Sequence, residues 1–380
     1  MTELYDVCAV KCNNYEPTNI EKAMDELIEL IGGLDFVKPK MKIAIKANLV
    51  TFMKPEQAAT THPALLCSLV SRLTKLGAIV TVGDSPGGIY TNAYLKKIYS
   101  VTKVNEIKKF GGKLNYNFET SEAHFDNAKI AKTFSYTSYL DEADIIINFC
   151  KLKTHGMMGM SAAVKNMFGV IPGTQKPEFH YRYPDHTDFA NMLIDLNQYF
   201  KPTLCFVDAI VGMEGNGPTA GTPRDVGFIL ASKNPYKLDL ACAEIIGLKK
   251  EDVPTLLESY NRNLIPAKYE ELNCNENLSA YTIADYNIIK HHHPLPFEDK
   301  TKLFGKIATK ALRSTPKLKV DECIGCGKCA EVCPVKAIEI KNHKAHIDRK
   351  KCITCFCCQE FCPKGAMKVH RTLIAKMLSK

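Results

Sequence analysis

Two copies of one cysteine spacing near the end of the chain restrict its fold more than any other feature. The copies read CIGCGKCAEVCP from Cys323 and CITCFCCQEFCP from Cys352, each a C-x2-C-x2-C-x3-C-P run. Three closely spaced thiolates can bind three corners of an iron–sulfur cubane, and the fourth thiolate points away to ligate the other cluster. The doubled run therefore predicts two [4Fe–4S] clusters in a small C-terminal α+β domain.

The same spacing assigns each cysteine to one cluster. The predicted ligand sets are Cys323, Cys326, Cys329 and Cys362 for one cluster, and Cys352, Cys355, Cys358 and Cys333 for the other. A zinc ribbon would instead use two CxxC pairs. Over about fifty residues the segment resembles the bacterial two-cluster ferredoxins. Because all the ligand positions are filled, we interpret this module as a path for electrons and not as a site of substrate chemistry.

Length and composition restrict the number of domains and the class of protein. The 380 residues predict one large domain and a small one, and a hydrophobic content of 46% allows a full core. No apolar run is long enough to predict a membrane span. The first residues, MTELYDVCAVKC, lack a signal-peptide pattern, so we expect a cytoplasmic protein. The other cysteines are scattered, as in reduced proteins, and the ferredoxin-like module suggests an anaerobic setting.

The formal net charge of +9 bears on the partners of the protein. No recognised nucleic-acid-binding module accompanies this charge, so nucleic acid is not expected as a partner. A redox partner protein or low-potential electron donor, and an anionic small molecule, fit it better. A homodimer is the base-rate expectation for the oligomeric state.

Apolar runs alternate with helical patterns through the first 250 or so residues, which predicts an α/β fold with a mainly parallel sheet and covering helices. Buried strands are predicted within the segments 41–50, 78–88, 143–156, 203–217 and 226–235, with the first four strands ending near 47, 83, 149 and 207, and helices are predicted within 62–77 and 236–248. The predicted division is an α/β domain over 1–290, a linker over 291–316 containing HHHPLP, a ferredoxin-like domain over 317–370 and a tail over 371–380 with a surface helix.

Polar residues follow several of these strands. Sites in parallel α/β sheets form beyond the carboxyl ends of the strands, so we expect a binding site there. The candidates at these ends are Lys46, Asn48, Asp84, Ser85, Lys153, His155 and Asp208. The alternative is a structural set of ion pairs, for example Lys46 with Asp84, since buried charges need partners.

The segment KLKTHGMMGMSAAVKNMFGVIPG (151–173) carries the highest density of candidates. Ser161 is predicted to cap a short helix that runs to Phe168, preceded by a glycine loop whose N–H groups would face an anion. Lys153 and Lys165 add positive charge, and His155 adds a proton-transfer group. The spacing is not that of a Walker A loop, and GDSPGG lacks a dinucleotide fingerprint.

These motifs resemble the domain of unknown function 362 family, often fused to two-cluster ferredoxin modules. The resemblance rests on IKANLV (45–50), TTHP (60–63), VGDSPGG (82–88), KLKTH (151–155), AAVKNMFGVIPG (162–173), VDAI (207–210), Gly217-Pro218 and NPYKLD (234–239). It covers roughly residues 40–245, followed by the ferredoxin-like part. The resemblance implies a fold, and it implies little about the reaction.

The order and spacing of His155, Lys165 and His180 are also similar to those in nickel-pincer lactate racemases. That similarity implies a proton-transferring histidine at position 155, a cofactor-bonded lysine at 165 and a nickel-binding histidine at 180. This chain has SAAVK where those enzymes have an SGGAK-like sequence. Racemisation needs no net electrons, so a pincer would not account for the clusters.

Two hypotheses follow. In the first, the protein is a redox enzyme in which the clusters pass low-potential electrons to an anionic substrate or cofactor in the α/β domain. Its expected catalytic residues are His155, Lys165, Lys153 and Asp84, and its expected binding residues are Lys46, Asn48, Ser85, Ser161, Asn166, His180 and Asp208. The sequence leaves open whether an additional organic cofactor, a flavin or another, is bound. In the second, the protein is a non-catalytic electron carrier whose basic ferredoxin segment docks on a partner enzyme.

Overall fold

A computed structural model describes residues 5–288, 314–370 and 372. The predicted HHHPLP connector, most of the predicted linker over 291–316 and most of the predicted tail helix over 371–380 lie outside these residues.

The described strands are β1 Cys8–Lys11, β2 Lys42–Lys46, β3 Ile79–Gly83, β4 Lys113–Leu114, β5 Thr120–His124, β6 Thr133–Thr137, β7 Ile145–His155, β8 Gly159–Ser161, β9 Leu204–Glu214, β10 Thr222–Ser232, β11 Thr315–Leu318, β12 Ile338–Lys341, β13 Lys344–Ile347 and β14 Met367–His370. The described α-helices are α1 Pro17–Leu30, α2 Pro63–Lys75, α3 Asn92–Val101, α4 Ala163–Asn166, α5 Lys176–Arg182, α6 His186–Phe200, α7 Pro235–Ile245, α8 Pro254–Asn261, α9 Lys328–Glu331 and α10 Cys357–Glu360.

The large sheet is mixed but mainly parallel, as the sequence predicts. Its order is β1-β10-β9-β7-β2-β3-β4, and the pairs from β9 to β4 are parallel. Strands β10 and β1 extend it with antiparallel pairs, and β8 folds back on the end of β7. The chain leaves β2 toward β3 on one side, and β7 pairs with β2 on the other side. This reversal creates a crevice at the carboxyl end of β2.

Both faces of the sheet are covered because successive side chains point to opposite faces. Ile43 and Ile45 of β2 belong to the core under α1, α2 and α3, whereas Ala44 belongs to the core under α6 and α7. This two-sided burial explains why the central strands read as continuous apolar runs rather than as alternating ones.

Two strands are longer than the sequence pattern indicates. The pattern places a loop after position 149 in one strand and after 207 in another, yet β7 runs to His155 and β9 to Glu214. The polar ends stay extended because they find strand partners: His155 pairs with Gly159 of β8, and Glu214 pairs with Thr222 of β10. Pairing with neighbouring strands, and not an apolar pattern, keeps these residues extended.

The predicted cap of the short helix is wrong. Ser161 lies in β8, and α4 begins only at Ala163. The N–H groups of Ala163 and Val164 donate to the buried carboxylate of Asp239 in α7, at 2.6 and 3.1 Å. Because Asp239 uses these donors, the helix start does not offer them to an anion, and the expected anion site at this helix is wrong as well.

The C-terminal module contains two small antiparallel pairs, β11 with β14 and β12 with β13, and the two short helices α9 and α10. Phe356 at the start of α10 is buried in the core of the α/β domain. The module is therefore packed into the large domain and does not stand apart from it. In the part of the chain that the structure describes, no helix has the length and apolarity to cross a membrane.

Substituting Asp239 tests the cap. Asp239→Ala leaves two buried N–H groups without an acceptor, so we expect the free energy of unfolding to fall by about 2 kcal/mol. Asp239→Asn retains one carbonyl acceptor and should cost less. Chemical denaturation measures both, with the exposed Glu26→Ala as the control. Equal stability of Asp239→Ala and the parent protein would contradict the capping role.

Candidate functional site

A polar cavity of about 70 Å³ lies at the carboxyl ends of β2, β3 and β7. Its lining includes the residues that the sequence places at these ends, and also parts of α4, α5 and the C-terminal module. The main polar lining residues are Lys46, Asn48, Asp84, Ser85, Lys153, Ser161, Lys165, Asn166, Lys176, His180 and Glu360. Most of the predicted site residues therefore lie together in one place.

Lys46 and Asp84 form a buried ion pair at the base of the cavity. Lys46 Nζ lies 2.8 Å from Asp84 Oδ1 and also donates to Asn166 Oδ1 at 3.2 Å. The other oxygen of Asp84 accepts from the N–H of Leu49 at 2.7 Å. Burial lowers the pKa of Lys46, and the charge of Asp84 opposes that shift. The sequence-based alternative of a structural pair thus describes these two residues well.

Two further lysines, the buried Lys153 and the half-buried Lys176, have only neutral hydrogen-bond partners among the described residues. Lys153 Nζ donates to Asn48 Oδ1 at 2.6 Å and to the carbonyl of Ala59 at 2.7 Å. Lys176 Nζ donates to the carbonyls of Phe168 and Ile171 at 2.8 and 2.6 Å. Burial lowers the pKa of each lysine to about 7. Lys176 was missed from the sequence, although it lies only three residues after the GVIPG segment.

Among the cavity lysines, Lys165 differs in having neither a hydrogen-bond partner nor an ion-pair partner in the part of the chain that the structure describes. Its ammonium lies 5.7 Å from the centre of the Phe168 ring and has no hydrogen-bond acceptor among the described residues. Burial lowers the pKa of Lys165, and the nearby Glu360 opposes that shift. Four lysines thus face two carboxylates in the cavity, Asp84 and Glu360. The excess of positive charge favours an anionic ligand.

Glu360 and Phe361 come from the C-terminal module and form one wall of the cavity. Both lie between Cys358 and Cys362, which the motif assigns to different clusters. Gln359 Nε2 donates to the carbonyls of Asn216 and Gly217 at 3.1 and 3.2 Å, which holds the segment against the α/β domain. The sequence pattern did not reveal this wall, because the cysteine spacing accounts for the segment without it.

Glycines in the α/β domain make room for this segment. A Cβ at Gly87 would lie 2.5 Å from the ring of Phe361, and one at Gly156 would lie 2.6 Å from Oε1 of Gln359. Gly87 belongs to the GDSPGG turn after β3, and Gly156 follows β7. Two of the glycines that stand out in the sequence are therefore explained by close approach of the module, and not by a phosphate.

His155 does not line the cavity, but it contacts Glu360, which does. Its Nδ1 accepts from the N–H groups of Met157 and Met158 at 3.1 and 3.2 Å, so the proton of the neutral ring is on Nε2. Nε2 lies 2.9 Å from Glu360 Oε1. Burial lowers the pKa of His155 to about 4. The sequence predicts a direct contact between His155 and a ligand. In the structure His155 instead contacts Glu360, and Glu360 lines the cavity.

The charge of Glu360 is stabilised by its neighbours. Burial alone would raise the pKa of this carboxyl, but Lys165 and His155 outweigh burial and lower it. His180 lines the cavity on the same side and stacks on Phe189, with ring centres 4.5 Å apart. Burial lowers the pKa of His180 to about 3, so its ring is neutral at ordinary pH. The structure thus brings His155, Lys165 and His180 together around Glu360.

Asp208 is the predicted binding residue that lies elsewhere. Its carboxylate pairs with Lys151 at 2.9 Å and accepts from the Tyr15 hydroxyl at 2.8 Å and the His62 N–H at 2.9 Å. Asp208 does not line the cavity. The strand β9 continues past Asp208, and the carboxylate is occupied by Lys151, Tyr15 and the His62 N–H instead of facing the cavity.

The cysteines of the first predicted ligand set lie around one small cavity. Cys323, Cys326 and Cys329 of the first motif line it together with Cys362 of the second motif, beside apolar side chains such as Ile324 and Met367. A donor set of four thiols in an apolar surrounding fits a [4Fe–4S] cluster. The crossed use of the fourth cysteine is therefore compatible with the fold.

The fourth cysteines of the two motifs have matching environments. The N–H of Ala337 donates to Cys333 Sγ at 3.2 Å, and the N–H of Ala366 donates to Cys362 Sγ at the same distance. Hydrogen bonds to cluster sulfurs tune the reduction potential. Cys333 also lies in the electrostatic surroundings of Cys352 and Cys358, the other members of its predicted set. Cys357, outside both sets, is buried as expected.

Known family models match both parts of the chain. The model of a domain of unknown function, DUF362, matches residues 43–244. The chain belongs to the DUF362 family. A 4Fe-4S dicluster domain matches residues 315–363, so this DUF362 protein carries an iron–sulfur domain with an electron-transfer role. The resemblance inferred from the sequence is confirmed for both parts.

Individual relatives match each part of this DUF362 protein. A thylakoid-associated protein from Synechocystis sp. is 29% identical over 272 residues, which cover 70% of this chain and 81% of that protein. Ferredoxin-2 from Desulfomicrobium norvegicum is 60% identical over 25 residues, or 7% of this chain and 42% of the ferredoxin. The lactate racemase apoprotein from Thermoanaerobacterium thermosaccharolyticum aligns with a TM-score of 0.40 at 10% identity, over 64% of this chain and 57% of that chain.

Substituting Gly87 tests the contact between the module and the DUF362 domain. In Gly87→Ala the new methyl group collides with the Phe361 ring, so we expect a loss of about 1–3 kcal/mol and faster hydrogen exchange in residues 356–362. Adding Phe361→Ala removes the obstacle and should restore part of that loss. A double-mutant cycle from denaturation curves measures the coupling, and additive effects would contradict the contact.

The affinity for an anion should depend on pH. The pKa values of Lys153 and Lys176 are lowered to about 7, so both ammonium groups lose their protons as pH rises through that value. We therefore expect sulfate, which stays a dianion, to bind about tenfold more weakly at pH 8.5 than at pH 6. Calorimetric titration measures this, and Lys153→Met should flatten the profile. An affinity that rises with pH would contradict the assignment.

Proposed function

We propose that this DUF362 protein is a redox enzyme in which two [4Fe–4S] clusters pass low-potential electrons to an anionic substrate or cofactor in the lysine-lined cavity. The observation that carries the proposal is the position of Glu360 and Phe361. They form a wall of the cavity and lie between cysteines of both predicted ligand sets. A ligand in the cavity would thus be separated from the clusters by a single short segment.

The protein residues have distinct roles in this proposal. Lys165 and Lys153 bind the anion, because neither ammonium has a carboxylate within ion-pair distance among the described residues. The Lys46–Asp84 pair and Asn166 hold the floor of the cavity in place. His155 acts as a positioning residue that holds Glu360 by their 2.9 Å contact. The bound clusters would supply single electrons at low potential.

A proton must accompany many electron transfers to organic anions, and the cavity contains a donor for it. Lys153 and Lys176, whose pKa values are lowered to about 7 by burial, can give up a proton near neutral pH. Both line the cavity, whereas His155 does not. The expected role of His155 as a direct proton donor is therefore assigned to these lysines instead.

The two other hypotheses have weaker support. In a nickel-pincer enzyme His155 would face the ligand, but its Nε2 is engaged by Glu360. A carrier would dock through the basic ferredoxin segment. Four of its basic side chains already have acidic partners nearby in the module: Lys319 with Glu322, Lys328 with Glu331, Lys341 with Glu339, and Lys351 with Asp348. Surface pairs of this kind reduce the net attraction for an acidic partner.

Anaerobic purification with metal analysis tests the first half of the proposal. We expect about eight irons and eight sulfides per chain, and no stoichiometric nickel or zinc. Zinc in place of iron would overturn the cluster assignment. Nickel with an organic adduct on Lys165 would favour the pincer enzyme.

Cluster spectroscopy tests the second half. Because the cavity adjoins residues 358–362, sulfate bound there should alter the electron paramagnetic resonance spectrum of the dithionite-reduced protein. Lys165→Met should abolish the sulfate effect and leave the cluster signal intact, and the surface variant Lys54→Met should behave like the parent. A spectrum that never responds to the anion would contradict electronic contact between cavity and clusters.

A further inference from the structure

A large groove opens directly beside the cavity. Its volume is about 870 Å³, and it runs between the DUF362 domain and the C-terminal module. Thr51, Glu360 and Phe361 line both the groove and the cavity. The two spaces are therefore adjacent and share part of their lining.

The DUF362 side of the groove contains several apolar and aromatic side chains among its lining residues. Phe52 and Ile89 line it although they are 36% and 54% exposed. Tyr94 lies edge-on to Phe52, with ring centres 4.7 Å apart. Exposed apolar side chains that gather in a concave surface are typical of a site for a ligand with an apolar or aromatic body.

The opposite side of the groove comes from the C-terminal module and combines charged side chains, such as Lys364 and Lys368, with two predicted cluster ligands. Cys326 and Cys362, both from the first ligand set, line it, and Cys326 is exposed. A body that fills the groove would contact residues that carry cluster ligands. Because an iron–sulfur cluster exchanges single electrons, an acceptor in this position must tolerate one-electron steps, as conjugated flavin-type rings do.

We propose that cavity and groove together bind one conjugated ring system with an anionic end, of the flavin mononucleotide class. The phosphate lies in the lysine cavity beside Lys165, and the ring lies in the groove between Phe52 and Cys326. The volumes support this division, since about 70 Å³ accommodates a small anion but no fused ring, whereas about 870 Å³ accommodates the ring. This inference rests on the proposed function and specifies the ligand of the same site.

A titration with two flavins tests the proposal. The cluster-loaded protein, free of added ligand, is titrated anaerobically with flavin mononucleotide and with riboflavin, and flavin fluorescence is followed. Riboflavin has the same ring and no phosphate, so we expect it to bind at least about tenfold more weakly. Inorganic phosphate should displace flavin mononucleotide and leave riboflavin bound. Equal affinity for the two flavins, or no binding of either, would overturn the proposal.

Three variants separate the two ends of the site. Lys165→Met should weaken flavin mononucleotide about tenfold and leave riboflavin unchanged, since it removes a charge in the cavity. Phe52→Ser should weaken both flavins and leave sulfate binding unchanged. Leu76→Ser alters a similarly exposed residue outside the groove and serves as the control. Flavin binding that is insensitive to both Lys165→Met and Phe52→Ser would place the ring elsewhere and overturn the proposal.

The same samples distinguish this inference from the function on which it rests. If the clusters are present and respond to sulfate but no flavin binds, the ligand class is wrong and the redox cavity stands. If iron is absent, or if sulfate leaves the cluster spectrum unchanged, the proposed function itself fails.

Discussion

The packing of residues 359–361 against the DUF362 domain is the contact on which the site depends. Gln359 bonds to two backbone carbonyls, and Phe361 packs on Gly87. Between them Glu360 completes the wall of the cavity. The segment comes close to Gly87 and Gly156, where a Cβ would meet the Phe361 ring and the Gln359 side-chain amide, so the turn after β3 and the turn after β7 have the same explanation. The C-terminal module and the α/β domain thus line one cavity together.

Electrostatics sets the character of that site. Burying ammonium groups is costly, and the cavity offsets part of this cost with Asp84, Glu360 and several carbonyl acceptors. The compensation is incomplete, because four lysines face two carboxylates. The remaining strain appears as lowered lysine pKa values, which is a common property of functional sites. An anionic ligand would complete the balance.

The fold positions these charges through ordinary α/β geometry. The carboxyl ends of β2, β3 and β7 meet where the chain direction reverses across the sheet, and this is where side chains at strand ends come together. The extension of β7 to His155 and the cap that Asp239 provides then fix the hairpin and the helix that carry Lys153 and Lys165. Asp208 does not reach the site, because its carboxylate is bound by Lys151, Tyr15 and the His62 N–H.

The sequence by itself determined the features whose signals are local. Cysteine spacing is a property of one short segment, so the iron–sulfur domain could be predicted from it, and apolar runs alternating with helical patterns indicated a mainly parallel sheet. Lys46, Asp84 and Lys153 were found because residues at parallel strand ends meet at one edge. Only the tertiary structure decided the contacts between distant segments. Glu360, Phe361 and the Asp239 cap depend on segments that no local pattern links, and β7 and β9 stay extended past their apolar runs because partner strands bond to them.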